Sequence, residues 1–315
     1  MYRCRHLVLP AVLLGSILLG APPARPLLWR ANKGGKDAPT IHLLGSLHIG
    51  RADFYPVHEK VAAAYAAADT CVFEIDLVQA KMPWQVARLL LRGRLGGGKT
   101  LRDVVSEKTW TDLQKCAQEV GMPMVMLNSM KPWMGAQLLT AAAIVKAGYN
   151  PDNGTDLHFF RRALKDNKHI VPLETLGQQL DAIQKALEPL GEAVLTETIK
   201  ELADLDKSFG KLVRCWRQGD AEGLSKLLKD MELGDEKAYQ VLLVDRNKNW
   251  IPIFEKTIAT PIPPPKAPAE GAIKPAPVQR TGPRHLFAVV GAGHLVGKSS
   301  VVELLRKRGW TVARE

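Results

Sequence analysis

The stretch from Ile41 to Leu77 constrains the fold more than any other. IHLLGS is a short apolar run, YPVHEKVAAAYAAAD is alanine-rich with helical spacing, and TCVFEIDL is a second apolar run rich in β-branched and aromatic residues. Strand, helix, strand in that order is a βαβ unit, which requires parallel strands and a right-handed crossover, here with the two strands as partners. The C-terminal ends of such strands open onto one edge of the sheet, so ligand-binding residues belong just after them. Near the C-terminus HLFAVVG reads as another buried strand, followed by a helix in SSVVELLRKRG and a short strand at WTV. The first and last parts of the chain therefore build one sheet.

Between them, from about Trp84 to Thr257, the pattern is helical, with breaks at Gly93–Gly98, Gly121–Pro123, Tyr149–Gly154 and Gly219. HIVPLE, from His169 to Glu174, is the one strand that interrupts it. From Gln178 to Arg217 apolar residues recur every three or four positions, the spacing of a packed amphipathic layer. The fold class expected is α/β: a central mixed, partly parallel sheet with helices on its faces and a large helical insertion.

The N-terminus begins with Arg3 and Arg5, an apolar run from Leu7 to Ala21, then small residues and prolines. This is the composition of an export signal and is short for a membrane span, which takes roughly 20 residues. Residues 1–24 are therefore expected to be a signal peptide or N-terminal anchor, 25–38 a linker, and 39–315 a single domain. Within that domain 261–283 holds eight of the 21 prolines and is expected to be a solvated loop. The chain is expected to be exported, periplasmic or extracellular, with membrane association through the N-terminal segment as an option. Forty-three basic against 32 acidic residues give a formal charge of +11, but the cations are scattered along helical stretches and no nucleic-acid motif is present, so no nucleic-acid partner is expected. Cys71, Cys116 and Cys215 have no metal-binding spacing, and Cys71 reads as a core residue.

GAGHLVGKSS, Gly291 to Ser300, resembles a phosphate loop at its right-hand end. Counting back from Gly297 places Ala292 where the first glycine of that loop belongs, so the register fails. Ser299 or Ser300 instead caps the last helix. From its left-hand end the same stretch matches LLGSLHIG: Gly45 precedes His48 as Gly291 precedes His294, each pair directly after an apolar strand. With 26 glycines and 8 histidines the spacing alone is weak; the shared position after a strand carries the argument. Two parallel strands would bring these imidazoles, 246 residues apart, to one sheet edge.

Glu74, toward the end of TCVFEIDL, is a carboxylate in an apolar run and needs a partner. His48, His294 and Glu74 would make a three-ligand metal site with an open position for water, or else a hydrogen-bonded cluster without metal. Arg246 and Asn247, in DRNKNW at the end of an amphipathic helix, would clamp a carbonyl oxygen, hold Glu74, or simply be solvated. Asp156 fits the first turn of a helix, and Glu174 the cap of the next one. His42, His58, His158, His169 and His285 read as surface or packing residues.

GSLH, FEIDL, GTDLHFF, PLET, DRN and GAGHL with the trailing LLRKRGW, in that order from Ile41 to the C-terminus, resemble the TraB/GumN family, which includes the Tiki proteases of animals. The resemblance implies a fold similar to erythromycin esterase and the ChaN haem-iron protein, with paired Gly-x-x-His motifs as its hallmark. In Tiki-like members these histidines and an acidic residue are taken as a divalent-metal peptidase site favouring manganese or cobalt, with zinc also open. Carried over, that implies His48, His294 and Glu74 as ligands, supported by Arg246 and Asn247. The expected function is an exported metal-dependent hydrolase of peptides or proteins, with Glu74 as ligand or base. The alternative is a non-catalytic envelope protein binding haem, metal or peptide.

Overall fold

The computed structural model of the chain describes residues 27–35, 38–231, 235–261 and 284–315. The expected signal segment at 1–24, and the proline-rich loop apart from Pro261, lie outside them. Six strands form one sheet: β1 (Leu28–Asn32), β2 (Thr40–Ser46), β3 (Thr70–Phe73), β4 (His169–Pro172), β5 (His285–Gly291) and β6 (Thr311–Arg314), in the spatial order β4-β3-β5-β2-β1-β6. β2, β3, β4 and β5 run parallel, and β1 lies antiparallel between β2 and β6. The sheet is thus mixed and partly parallel, as expected, with its antiparallel part supplied by β1.

Two expectations about the sheet need correcting. The stretch read as a linker at 25–38 contains β1, whose Leu28, Trp29 and Ala31 are buried and whose backbone pairs with both β2 and β6. Five residues are short for a periodicity argument, and the alternation was obscured because the neighbouring Leu27 is buried too. The strands β2 and β3 are parallel but are not partners: β5 lies between them, with Leu44 facing Val289 on one side and Phe73 facing Val289 on the other. β5 is buried from Leu286 to Val290, the continuous apolar run that a central parallel strand needs because both its faces are covered.

One face of the sheet is covered by α1 (Glu59–Ala67), where Tyr65 packs edge-on against Phe287 of β5. Beyond β3 come α2 (Leu77–Ala80), α3 (Pro83–Arg92), α4 (Glu107–Val120), α5 (Met124–Leu127) and α6 (Pro132–Lys146). α4 ends at Gly121 in a left-handed conformation that a side chain would strain. Next, α7 (Thr155–Lys165) returns to the α1 face, where Phe159 and Phe160 join its core. After β4 follow α8 (Leu176–Leu187), α9 (Glu192–Leu202), α10 (Leu205–Gln218) and α11 (Ala221–Met231). The helical insertion has its own core, in which Leu113, Leu139 and Leu195 meet.

The opposite face of the sheet is covered by α10, α11, α13 (Arg246–Ala259) and α14 (Val301–Lys307), around Trp216, Trp250 and Phe254. α12 (Glu236–Tyr239) leads into α13 through a π-helical turn at Gln240–Asp245. Arg246 and Asn247 therefore begin α13 inside a continuous helical run instead of ending a helix, as DRNKNW suggested. A π turn widens the helix and resets the face that follows, a feature frequent at functional sites. Ser300 accepts a hydrogen bond from the Glu303 N–H and caps α14, as its sequence position implied. No helix among the described residues is long and apolar enough to cross a membrane.

Candidate functional site

The insertion of β5 between β2 and β3 brings the site together. Glu74 follows β3 directly, Gly291 ends β5, and Ser46, paired with Gly291, ends β2 two residues before His48. A Cβ placed on Gly291 would stand 3.1 Å from Oε1 of Glu74, 3.5 Å from Cδ2 of His294 and 3.7 Å from Nε2 of His48. The three residues singled out from sequence therefore converge on one glycine, whose missing side chain leaves the space they share. The other paired glycine has a packing reason: a Cβ on Gly45 would press on Leu27 and on the backbone of Ala292.

Each imidazole is held by its Nδ1. His48 Nδ1 lies 2.8 Å from Oδ2 of Asp156, in the first turn of α7 as expected. His294 Nδ1 lies 2.6 Å from Oδ1 of Asn247, and the amide nitrogen of Asn247 donates to the Ser299 carbonyl at 2.9 Å. That second bond fixes the amide, so its oxygen faces His294 and the ring proton sits on Nδ1. Both rings then present Nε2 inward, the orientation in which an outer hydrogen bond sets the tautomer of a metal-binding histidine.

Arg246 organises the carboxylates. Its Nη2 donates to Oε2 of Glu74 at 2.7 Å and to Oε1 of Glu174 at 2.6 Å; its Nε also faces Glu174. Its Nη1 donates to the Leu242 carbonyl at 3.0 Å and to Nε2 of His294 at 3.1 Å. All five N–H directions of the guanidinium are used, leaving none for a substrate oxyanion, and Asn247 is likewise committed to His294 and Ser299. Glu174 does not cap the next helix. Thr175 does, in a capping box with Gln178, and the carboxylate of Glu174 is turned to Arg246 and to Nε1 of Trp250 at 3.3 Å.

Burial alone would push Glu74 up. The groups facing it outweigh burial and hold its carboxyl below the ordinary range: the His294 ring where it is protonated, and otherwise His48 and Arg246 with the Gly291 N–H at 2.7 Å. Burial pushes His294 down to about 3, with the charges of Arg246 and His48 adding to the effect, so its ring is neutral at neutral pH. The cations facing Glu74 under those conditions are Arg246 and His48. Burial also raises Glu174, against the pull of Arg246. His48 differs: 59% of its side chain is open to water although it sits within the pocket wall. Desolvation there opposes its charge, but the hydrogen bond and charge of Asp156, with Glu74 behind, raise it to about 9.

His48, Glu74, Asp156, Arg246 and His294 form one wall of a cavity of about 450 Å³. Leu212, Leu224, Leu228 and Leu243 supply apolar lining, contributed by α10, α11 and the π turn. Some residues of the site carried no sequence signal of their own. Gln179 donates to Oε2 of Glu74 at 3.0 Å, Thr155 accepts from the Leu47 N–H at 3.0 Å, and Trp216 donates to the Gly45 carbonyl at 2.8 Å. Trp250 lies against His294, ring centres 4.3 Å apart. Gly154 is a further requirement, because a Cβ there would stand 2.3 Å from the His48 carbonyl oxygen. No motif singled out the tryptophans, and only the GTD of the α7 entry hinted at Gly154 and Thr155. His42, His285 and the half-buried His158 and His169 stand apart from the site, and His58 caps α1.

The donor set fits a divalent cation in chemistry and orientation: two tethered imidazoles with inward Nε2 atoms beside an ionised carboxylate. It does not have the spacing of an assembled centre. His294 Nε2 is 3.9 Å from Oε1 of Glu74 and is engaged by Arg246, and no group of three His, Cys, Asp or Glu among the described residues is placed to hold an ion as it stands.

The sequence model of the TraB/PrgY/gumN family matches residues 27–314, from the first residue before β1 to the end of β6. The chain belongs to this family. YbaP of Escherichia coli strain K12, an uncharacterized protein, is 23% identical over 266 residues, covering 84% of this chain and 88% of YbaP. YbaP of Shigella flexneri is also 23% identical, over 265 residues covering 84% and 87%. No solved structure matches the chain. For a TraB/PrgY/gumN protein the match at residue 27 agrees with β1 as part of the domain and not of a leader.

Proposed function

We propose that this cavity is the site of a metal-dependent hydrolase acting on peptide or protein substrates, with His48, His294 and Glu74 holding a divalent cation, manganese or cobalt before zinc. The observation that carries the reading is the pair of imidazoles, from opposite ends of the chain, each tethered at Nδ1 and turned toward the buried Glu74. An ion held there would supply a Lewis acid for a scissile carbonyl. Glu74 serves as ligand and not as base, because a carboxyl held below its ordinary range by His48, Arg246 and the Gly291 N–H is a poor proton acceptor. Asn247 fixes the tautomer of His294, Asp156 orients the His48 ring, whose Nε2 proton an incoming ion would displace, and Arg246 balances the charge of two buried carboxylates. Arg246 and Asn247 are positioning residues and not donors to the oxyanion. The chain as exported would act in the periplasm or outside the cell.

The test is cleavage of an unfolded protein such as reduced casein by the purified full chain, with manganese or cobalt supplied and then chelated. Activity that needs the ion and is lost in both His48→Ala and His294→Ala supports the reading. Cleavage that survives chelation and both substitutions contradicts it.

One observation favours a second reading, a non-catalytic binding protein. Arg246 already supplies a cation to Glu74 and Glu174, so the cluster is electrostatically complete without metal. An apolar ligand would then fill the leucine-lined side of the cavity. A Soret band in the absorption spectrum after incubation with haem, abolished by filling the cavity with Leu228→Trp, would favour that reading.

A further inference from the structure

The helix α3 is built inside out. Of PWQVARLLLR, only Gln85, Leu89 and Arg92 turn toward the protein, and Arg92 pairs with Asp181 at 2.5 Å. At 100° per residue, Val86, Leu90, Pro83, Ala87, Leu91 and Trp84 fill a continuous outer arc of roughly 160°. All six are exposed, Trp84 to 65% and Leu91 to 68%. A helix of a globular protein that packs on its core puts that arc inward. Here no residue of α3 is buried.

Charge sets this face apart from an ordinary apolar patch. From Leu77 to Arg102 the chain has six cations, Lys81, Arg88, Arg92, Arg94, Lys99 and Arg102, and no Asp or Glu. Lys81, Arg88, Arg94 and Lys99 are exposed and form no ion pair among the described residues. The loop after α3 is bonded to 128–131, through Leu95 to Ser129 and Leu101 to Asn128. That segment follows directly on α5, whose Val125 and Met126 are exposed as well. An apolar arc with tryptophan, bordered by Arg88 on the helix and followed by Arg94 and Lys99 in the loop, complements a surface that is apolar below and anionic above.

We infer that α3 and the loop to Arg102 form a docking surface for an anionic phospholipid bilayer, with Trp84 and Leu91 entering the headgroup boundary and the free cations meeting lipid phosphates. A second copy of the chain is the poorer occupant, since joining two such faces would oppose their cations. The inference is independent of the chemistry in the cavity.

The test is flotation of the full chain with phosphatidylcholine vesicles, with and without phosphatidylglycerol. Trp84→Ala/Leu91→Ala removes the apolar contact, and Arg88→Glu/Arg94→Glu reverses the charge. The surface residues leave folding intact, read by an unchanged thermal melt. The chain should float with the anionic vesicles, less so as salt rises, and each double variant should lower the bound fraction by about tenfold or more. Equal binding to both vesicle types, or binding that neither variant changes, would overturn the proposal. So would self-association without lipid that Trp84→Ala/Leu91→Ala abolishes, which would assign the face to a second copy.

Discussion

Nη1 of Arg246 stands 3.1 Å from Nε2 of His294, on the atom through which that imidazole would bind an ion. The guanidinium and a cation therefore compete for one lone pair, and metal loading must shift the arginine, the ring, or both. Arg246 also neutralises two buried carboxylates. Arg246→Ala leaves them without their shared cation and should cost about 3–5 kcal/mol in denaturant unfolding. Adding Glu174→Gln should restore part of the loss. A neutral Arg246→Ala would mean that the cluster is not closed in solution.

Asn247 is 1% exposed and ties His294 to Ser299. Asn247→Leu keeps the bulk and removes the acceptor, leaving the Nδ1–H without a partner at a cost of about 1–3 kcal/mol. Nitrogen-15 NMR of the imidazole should show one tautomer, protonated at Nδ1, in the native protein and a mixture in the variant. A mixture already in the native protein would remove the assigned role of Asn247.

His48 is raised to about 9 by Asp156. A raised folded pKa contributes stability that is fully present below the unfolded value of about 6.5 and is lost as pH rises through about 9. Asp156→Asn removes the carboxylate, so the melting-temperature gap between native protein and variant should be widest at low pH within that window and narrow above it. In proton NMR the His48 titration should move down by at least one unit in Asp156→Asn. An unmoved titration would refute the pairing.

Gly291 has φ −49°, a conformation open to any residue, so the cost of Gly291→Ala lies in the space its Cβ takes. That atom would sit 3.1 Å from Oε1 of Glu74. The substitution should weaken ion binding at least about tenfold, the scale of disturbed outer contacts at a metal site, while lowering the melting temperature by only a few degrees. Equal losses in binding and fold would make Gly291 a packing residue only.

Much of this was legible because the apolar runs locate the strands, although TCVFEIDL breaks early: β3 ends at Phe73, and Asp76 already caps α2. IHLLGS, TCVFEIDL and HLFAVVG announced themselves by apolar runs, and parallel strands there bring His48 and His294, just beyond two of them, and Glu74, within the third, to one edge. Which strands are neighbours was not legible, since β5 could enter on either side of β2 without changing its own pattern. The placement between β2 and β3 is what puts Gly291 against Glu74. The helical run through the π turn misled the reading of Arg246 and Asn247, because a π turn has no period of its own in sequence. Glu174 looked like a cap for a related reason: its partner Arg246, 72 residues away, is invisible to local spacing, whereas Thr175 with Gln178 is a local signature.

The central claim, that His48, His294 and Glu74 together hold a divalent cation, is tested most directly by equilibrium dialysis of the full chain against manganese and cobalt, with bound metal measured by elemental analysis. One ion per chain is predicted, reduced to background in both His48→Ala and His294→Ala with thermal melts that remain cooperative. Background metal in the native protein, or a full equivalent retained by both variants, would contradict it.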